Sequence, residues 1–163
     1  MVERPRSSGV ELVSIDPASV EARECLAHYF AELDARFRGG FEAARDKPPD
    51  PAQFTPPSGC LLIARLDGAL AGCGALRTLT PGIGEIKRMW VSPGARGRGV
   101  GHSILERLES EARQRGLLTL RLDTNEALTE ALRLYRAAGY REIERFNDNP
   151  YAHHWFEKML GVI

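Results

Sequence analysis

A mixed, mostly antiparallel sheet flanked by helices, of the α/β (α+β) class, is predicted by three features of this 163-residue chain. Two apolar runs flank Asp67-Gly68, the commonest two-residue hairpin signal, so they pair antiparallel. Further on, a strand-like run, an amphipathic helix and another apolar run follow one another. That passage implies a right-handed crossover and one parallel strand pair. Two short strands around a turn-rich stretch then close the chain.

The elements follow in order. "VELVSI" has the composition of a short strand. In "DPASVEARECLAHYFAELDARF", Asp16 is the predicted N-cap and Pro17 the first helical residue. Leu26, Tyr29, Phe30, Leu33 and Phe37 fall on one helical stripe, and Gly39-Gly40 stops it. Residues 46–59, with five prolines, form a stiff, irregular surface loop rather than a linker, because neither flank is a complete domain. "CLLIARL", "ALAGCGALRTL" and "GEIKRMWV" are the next three strands. The helix after them carries Val100, Ile104, Leu105, Leu108 and Ala112 on one face. The pairs Glu109–Arg113 and Glu111–Arg115 fall on its outer side. "LLTLRLD" is a strand and "EALTEALRLYRAAG" a helix capped by Gly139, with Leu128, Ala131, Leu132, Tyr135 and Ala138 on one face. "YREIERF" and "HHWFEKML" are the last strands.

The length suits one domain, residues 1–163, with a core of its own. Lys and Arg equal Asp and Glu at 22 each, which argues against a broad basic surface for nucleic acid. Cys25, Cys60 and Cys73 form no C-x-x-C pair and are expected as buried free thiols of a cytoplasmic protein. No histidine shares a metal-ligand spacing with them, so no metal is expected. No apolar run approaches the roughly 20 residues of a membrane span, and the first nine residues lack a signal-peptide core. His153 and His154, adjacent on a strand, point to opposite faces and do not chelate one ion.

"ARGRGVGH", residues 95–102, carries three glycines and two arginines at the mouth of a helix. First-turn N–H groups and the helix dipole favour an anion, and glycines let phosphate oxygens reach the backbone. A P-loop needs Lys where Val100 stands, and a dinucleotide fingerprint needs Gly where His102 stands. The pattern that fits is R-x-x-G-x-G, made by Arg96, Gly99 and Gly101.

That pattern, with "EIKRMWVSP" before it and "ALRLYRAAGY" after it, resembles the GNAT superfamily of N-acetyltransferases over roughly residues 60–160. "NDNPYAHHWFEK" is further similar to a bacterial subgroup. The resemblance implies a sheet whose parallel pair is splayed, with the pantetheine arm of acetyl-CoA between the two strands. Arg96, Gly97, Arg98, Gly99, Val100, Gly101 and His102 then hold the pyrophosphate. Met89 offers its amide to the thioester carbonyl, and Trp90 and Val91 bond the arm. Leu128 occupies the position where many members carry Asn, so Asn125, one turn earlier, is the side-chain candidate toward the donor.

Glu85 is the candidate base. It is the only carboxylate of its strand and lies fourteen positions before Gly99, a spacing at which some members carry a catalytic Glu. Strict alternation puts Glu85, Lys87, Met89 and Val91 on one face and Ile86, Arg88 and Trp90 on the other. Tyr135 is the candidate acid, because the resemblance places the Tyr of L-Y-x-x-x-G beside the departing sulfur. Asn147, Asp148, Asn149 and Tyr151, in a stretch whose composition is that of a turn, are the candidate amine-pocket residues together with the proline-rich loop, and Phe37, Arg36 and Arg38 at the end of the first helix are further candidates.

The activity implied is acetyl-CoA-dependent acetylation of a primary amine, a small molecule or amino acid, by direct attack in a ternary complex. A protein or peptide acceptor and a non-catalytic acyl-CoA-binding module are the alternatives. No nucleic acid or membrane partner is expected, and a homodimer is the oligomeric expectation.

Overall fold

The computed structural model describes residues 9–42, 45 and 50–161. Part of the proline-rich loop, residues 46–49, lies outside them. Seven strands form one sheet: β1 (Val10–Ile15), β2 (Gly59–Leu66), β3 (Ala69–Thr80), β4 (Ile83–Val91), β5 (Thr119–Thr124), β6 (Arg141–Ile143) and β7 (His154–Met159). Three helices pack on it: α1 (Val20–Arg36), α2 (Val100–Gln114) and α3 (Thr129–Ala137). The strand order is β1-β2-β3-β4-β5-β7-β6, and β4–β5 is the parallel pair among antiparallel neighbours. The hairpin at Asp67-Gly68 forms with both residues at positive φ, as a twist-matched two-residue turn requires.

The core has two layers. On one face α2 buries Val100, Ile104, Leu105, Leu108 and Ala112 against Leu62, Leu76 and Leu120, as the heptad-like spacing predicts. On the other face α1 presents Ala22, Cys25 and Leu33 to the sheet. Small side chains at the contact let this helix approach closely, so the predicted stripe is rotated: Leu26 and Phe30 sit at its margin, half-buried. Helix α1 also starts later than Asp16-Pro17. Ser19 is the N-cap, its hydroxyl accepting from the Ala22 amide, while Asp16 closes the preceding turn on Ala18. The described part of the proline-rich loop is not wholly surface. Its Pro51–Phe54 turn drives Phe54, with no exposed area, under α1.

Two further corrections concern α2 and the chain end. Glu109 is buried rather than outward, accepting from the Tyr140 hydroxyl at 2.9 Å and from Lys158 Nζ at 3.0 Å. Glu111 and Arg115 do pair on the surface, at 2.6 Å. Strand β6 is only three residues long, because Arg145 turns toward Asn147 and Asp148 instead of extending the ladder.

Candidate active site

The site is built where β4 departs from regular geometry. Beyond Glu85↔Arg121 the parallel pairing stops, so β4 and β5 diverge. One edge of β4 stays bonded to β3, with Trp90 opposite Cys73 and Val91 opposite Gly72. The other edge, from Ile86 to Val91, has no strand partner, which leaves backbone N–H and C=O groups along a groove.

A bulge sits in the same strand. Arg88 adopts a positive φ of 59°, and the β3–β4 register shifts between Cys73 and Ala75. The extra residue reverses the alternation. Glu85 and Lys87 share one face as predicted, the α1 side, but Met89 and Val91 pack on the α2 side with Ile86, while Trp90 joins Cys25, Ile63 and Cys73 under α1. The strict alternation expected from the sequence therefore fails at Arg88. Gly74 stands opposite the bulge, where a Cβ would lie 2.8 Å from Met89 Sδ, so only glycine admits Met89 there.

Two chambers meet at this point. The first lies between Met89, Val91, the 95–102 loop and α3. Helix α2 begins at Gly99, φ 79°, with no side-chain cap, so its first-turn amides are left bare. A Cβ on Gly97 or Gly99 would meet nothing, which shows the loop facing open space. Gly97, Gly99, Val100, Gly101 and His102 line this chamber, with Met89, Trp90 and Val91. The two arginines behave differently from each other. Arg96 donates from Nε to the Val91 carbonyl at 3.2 Å and bonds Glu32 of α1. Arg98 is half-exposed on the outer side, 3.9 Å from Asp67. Arg36 ties α1 to the start of α3, donating to the Ala127 carbonyl at 2.8 Å and to Glu130 at 3.0 Å.

The second chamber lies on the far side of Met89. Phe30, Phe37, Phe41 and Tyr151 form an aromatic box, with ring centroids 4.8 to 5.8 Å apart. Lys87 and Arg88 line its β4 wall, and Asp123 and Asn125 its β5 wall. Met89, Tyr135, Leu33 and Ala131 line both chambers, so they mark the junction. Tyr135 is 4% exposed, with its ring edge-on to Tyr140. Burial, and then the Asp123 carboxylate, push its phenol well above the usual range, so it stays protonated at neutral pH.

The structure brings some expected residues together and separates others. Glu85 is 1% exposed and lines neither chamber. Its Oε1 accepts from Arg77 Nε at 2.7 Å and lies 3.8 Å from Lys87 Nζ, so it reaches the second chamber only through Lys87. Asn125 lines the second chamber, not the first, and is held by the Tyr151 carbonyl and the Ala127 amide. Tyr151 and Phe37 line the box, whereas Asn147 stands behind it. Asn147 and Asn149 each donate to one oxygen of Asp123, at 2.6 and 3.0 Å, and Trp155 Nε1 donates to Asn147. The turn "NDNPYA" is thus a cradle for a carboxylate 24 to 26 residues earlier in the chain. His153 and His154 find separate partners, the Glu126 amide and Glu142.

Asp123, Lys87 and Arg88 were not singled out by sequence reasoning. Asp123 is the last residue but one of its strand, and the two asparagines of the turn were the signal for a half-buried carboxylate that needs donors. Arg88 carries no mark, because a bulge at a non-glycine residue leaves no local signature.

Comparison with known proteins follows the same geometry. The model of the acetyltransferase (GNAT) family matches residues 26–140. An IAA acetyltransferase of Azospirillum brasilense is 36% identical over 121 residues, covering 74% of this chain and 79% of that protein. An acetyltransferase of the GNAT family from Staphylococcus aureus has the same fold, with a TM-score of 0.79 at 16% identity, covering 93% of this chain and 99% of that one. A GNAT family acetyltransferase from Elizabethkingia anophelis, solved with acetyl-CoA bound, gives a TM-score of 0.66 at 17% identity, covering 94% and 99%.

Proposed function

The chain belongs to the GNAT acetyltransferase family and is an acyltransferase, and from that premise we propose that it moves an acetyl group from acetyl-CoA to a small primary amine by direct attack in a ternary complex. The observation that carries this reading is the pair of chambers joined at Met89 and Tyr135. One is suited to the donor and the other to an acceptor, and both partners must meet at the junction.

The residues fit the donor. Bare amides of residues 100–102 and the α2 dipole take the pyrophosphate, and Gly97 and Gly99 leave room for its oxygens. The unpaired edge of β4 takes the arm as an added strand would be taken. Acetyl-CoA supplies an activated acyl carbon and a thiol leaving group. The amide of Met89, beside the bulge, stabilises the oxyanion that forms on attack. Tyr135, kept neutral by burial, donates its hydroxyl proton to the departing sulfur. It regains a proton from the nitrogen, so one C–N bond forms, one C–S bond breaks, and the acceptor ammonium's other proton leaves to solvent.

Glu85 is read as a positioning residue, which holds Arg77 of β3 and Lys87 of β4 rather than touching the amine. The three buried free cysteines suit the reducing cytoplasm, where the reading places the enzyme. The reading is tested by following thiol release from acetyl-CoA over a panel of primary amines, with binding of acetyl-CoA measured by calorimetry. Turnover with at least one small amine is expected. Binding without thiol release over the whole panel would replace the enzyme with a binding module.

A further inference from the structure

We infer that Asp123 is the base of the transfer: it holds the acceptor's ammonium and takes the proton whose loss makes the nitrogen a nucleophile. The inference rests on the acetyltransferase reading of the same site. It adds a catalytic residue on β5, away from the β4 carboxylate that the sequence suggests.

A primary amine is an ammonium near neutral pH and has no lone pair with which to attack. A base within hydrogen-bond reach is therefore needed in the acceptor chamber. Most carboxylates near the divergence of β4 and β5 are engaged elsewhere. Glu85 lines neither chamber and is held by Arg77 and Lys87. Glu32 and Glu130 line the donor chamber and pair with Arg96 and Arg36. Among the described residues, no histidine lines the acceptor chamber, and Asp123 is its one carboxylate.

The turn between β6 and β7 orients Asp123 without neutralising it. Asn147 Nδ2 donates to Oδ2 at 2.6 Å and Asn149 Nδ2 to Oδ1 at 3.0 Å. Both side-chain amides are themselves fixed. Asn147 Oδ1 accepts from Trp155 Nε1 and the Asn149 backbone, and Asn149 Oδ1 from the Tyr151 backbone. A carboxylate oxygen accepts two hydrogen bonds, so one site on each remains for an ammonium. The two donors are neutral, and Asp123 forms no ion pair among the described residues. The charged and titratable side chains around it are Lys87 and Arg88 from β4, Tyr135 from α3, Tyr29 from α1 and Tyr151 from the turn. Arg121, two residues back on β5, pairs with Glu157 of β7 at 2.8 Å.

Asp123 and Tyr135 line the same chamber, and the carboxylate is the second cause, after burial, of the raised phenol. Base and acid thus come from β5 and α3 to one place. Transfer from an ammonium to a carboxylate is uphill in water, so it is completed only as nitrogen bonds to carbon. One ammonium proton passes to Asp123 while the nitrogen pair bonds the thioester carbon. The C–S bond then breaks, its electron pair stays on sulfur, and Tyr135 protonates it. Tyr135 regains the nitrogen's second proton, and the half-buried Asp123 returns its own to water.

The test uses the full chain and two isosteric acceptors, 2-phenylethylamine and O-benzylhydroxylamine. The first is an ammonium at pH 7, whereas the aminooxy nitrogen of the second is already neutral and needs no base. Thiol release gives kcat and KM, with the pH profile also taken on the fastest amine of the panel. With Asp123 as base, log kcat/KM for 2-phenylethylamine should be flat between about pH 7 and 9. Asp123→Asn should lower its kcat at pH 7 by about a hundredfold and make kcat/KM rise about tenfold per pH unit, since only neutral amine then reacts. The same variant should slow O-benzylhydroxylamine by less than about threefold, with coenzyme A affinity unchanged by calorimetry. Asn149→Ala keeps the carboxylate and should keep the flat profile.

A parent profile that already rises tenfold per pH unit would overturn the inference, and this needs no variant to fold. So would an Asp123→Asn protein that slows both acceptors equally, or one that keeps the flat profile. Each of these leaves the acetyltransferase reading intact. Absence of thiol release with every amine removes that reading and the base together.

Discussion

Glu85→Gln separates a positioning carboxylate from a catalytic base. Glu85 is 2% exposed at its side chain, with Arg77 Nε at 2.7 Å and Lys87 Nζ at 3.8 Å. The amide keeps the shape and an acceptor for Arg77 but removes the charge that two cations share. Those cations are 21% and 15% exposed, so water compensates part of the loss. Hydrogen bonds to charged groups contribute about 1.5–3 kcal/mol, and breaking a fully buried pair costs about 3–5 kcal/mol, so a cost of about 2 kcal/mol follows. For a chain of this size that lowers Tm by roughly 4–8 °C. Combined, Arg77→Met and Glu85→Gln should cost less than the sum of the two, with a coupling of about 1 kcal/mol or more, because the double variant leaves only the partly solvated Lys87 without its partner. Thermal unfolding of the four proteins measures this, and kcat/KM should stay within about tenfold of the unmodified protein. A Glu85→Gln protein as stable as the parent but slowed by more than about a hundredfold would refute the reasoning and make Glu85 the base.

Tyr135→Phe should fold normally, since its ring packs between Tyr140 and Phe156, and lose about a hundredfold in kcat by steady-state assay. Because burial raises this phenol, its neutral form is favoured in the native state. Stability from this group is therefore fully present below the unfolded value near about 10 and is lost progressively as pH rises from there through the raised one. The pH–rate profile should accordingly show no alkaline fall from Tyr135 below about pH 10. Gly99→Ala places a Cβ at φ 79° and into the donor chamber, so it should cost about 1 kcal/mol of stability and weaken coenzyme A binding by calorimetry. Phe54→Ala should cost about 3–4 kcal/mol by denaturant unfolding, since Phe54 is wholly buried beneath α1 and beside Arg88. Cys60, pushed up to about 11 by burial, should resist alkylation in the native protein at pH 8 and react on denaturation.

What the sequence makes legible is what is local. Asp67-Gly68 defines a hairpin, the glycines of 97–101 an uncapped helix start, and the apolar spacing of α2 its buried face, and each is decided within a few residues. The bulge at Arg88 is decided by the fit of Met89 against Gly74 and α2, contacts that strand alternation does not contain. That single inserted residue moved Met89 and Trp90 to opposite faces from those expected. Asn125 was one chamber away from its expected place because the loop before α3 turns it toward Tyr151. Asp123 was overlooked for a related reason. Its importance comes from Asn147 and Asn149, and from sharing a chamber with Tyr135, both set by sheet order rather than by spacing.

The central claim is that donor and acceptor chambers meet at Met89 and Tyr135, so that the acetyl group passes between them directly. Initial velocities with acetyl-CoA and a primary amine both varied test it most closely. Direct transfer predicts lines that intersect, with Tyr135→Phe lowering kcat and leaving the affinity for acetyl-CoA unchanged. Parallel lines, with the protein recovered carrying an acetyl group before amine is added, would contradict it.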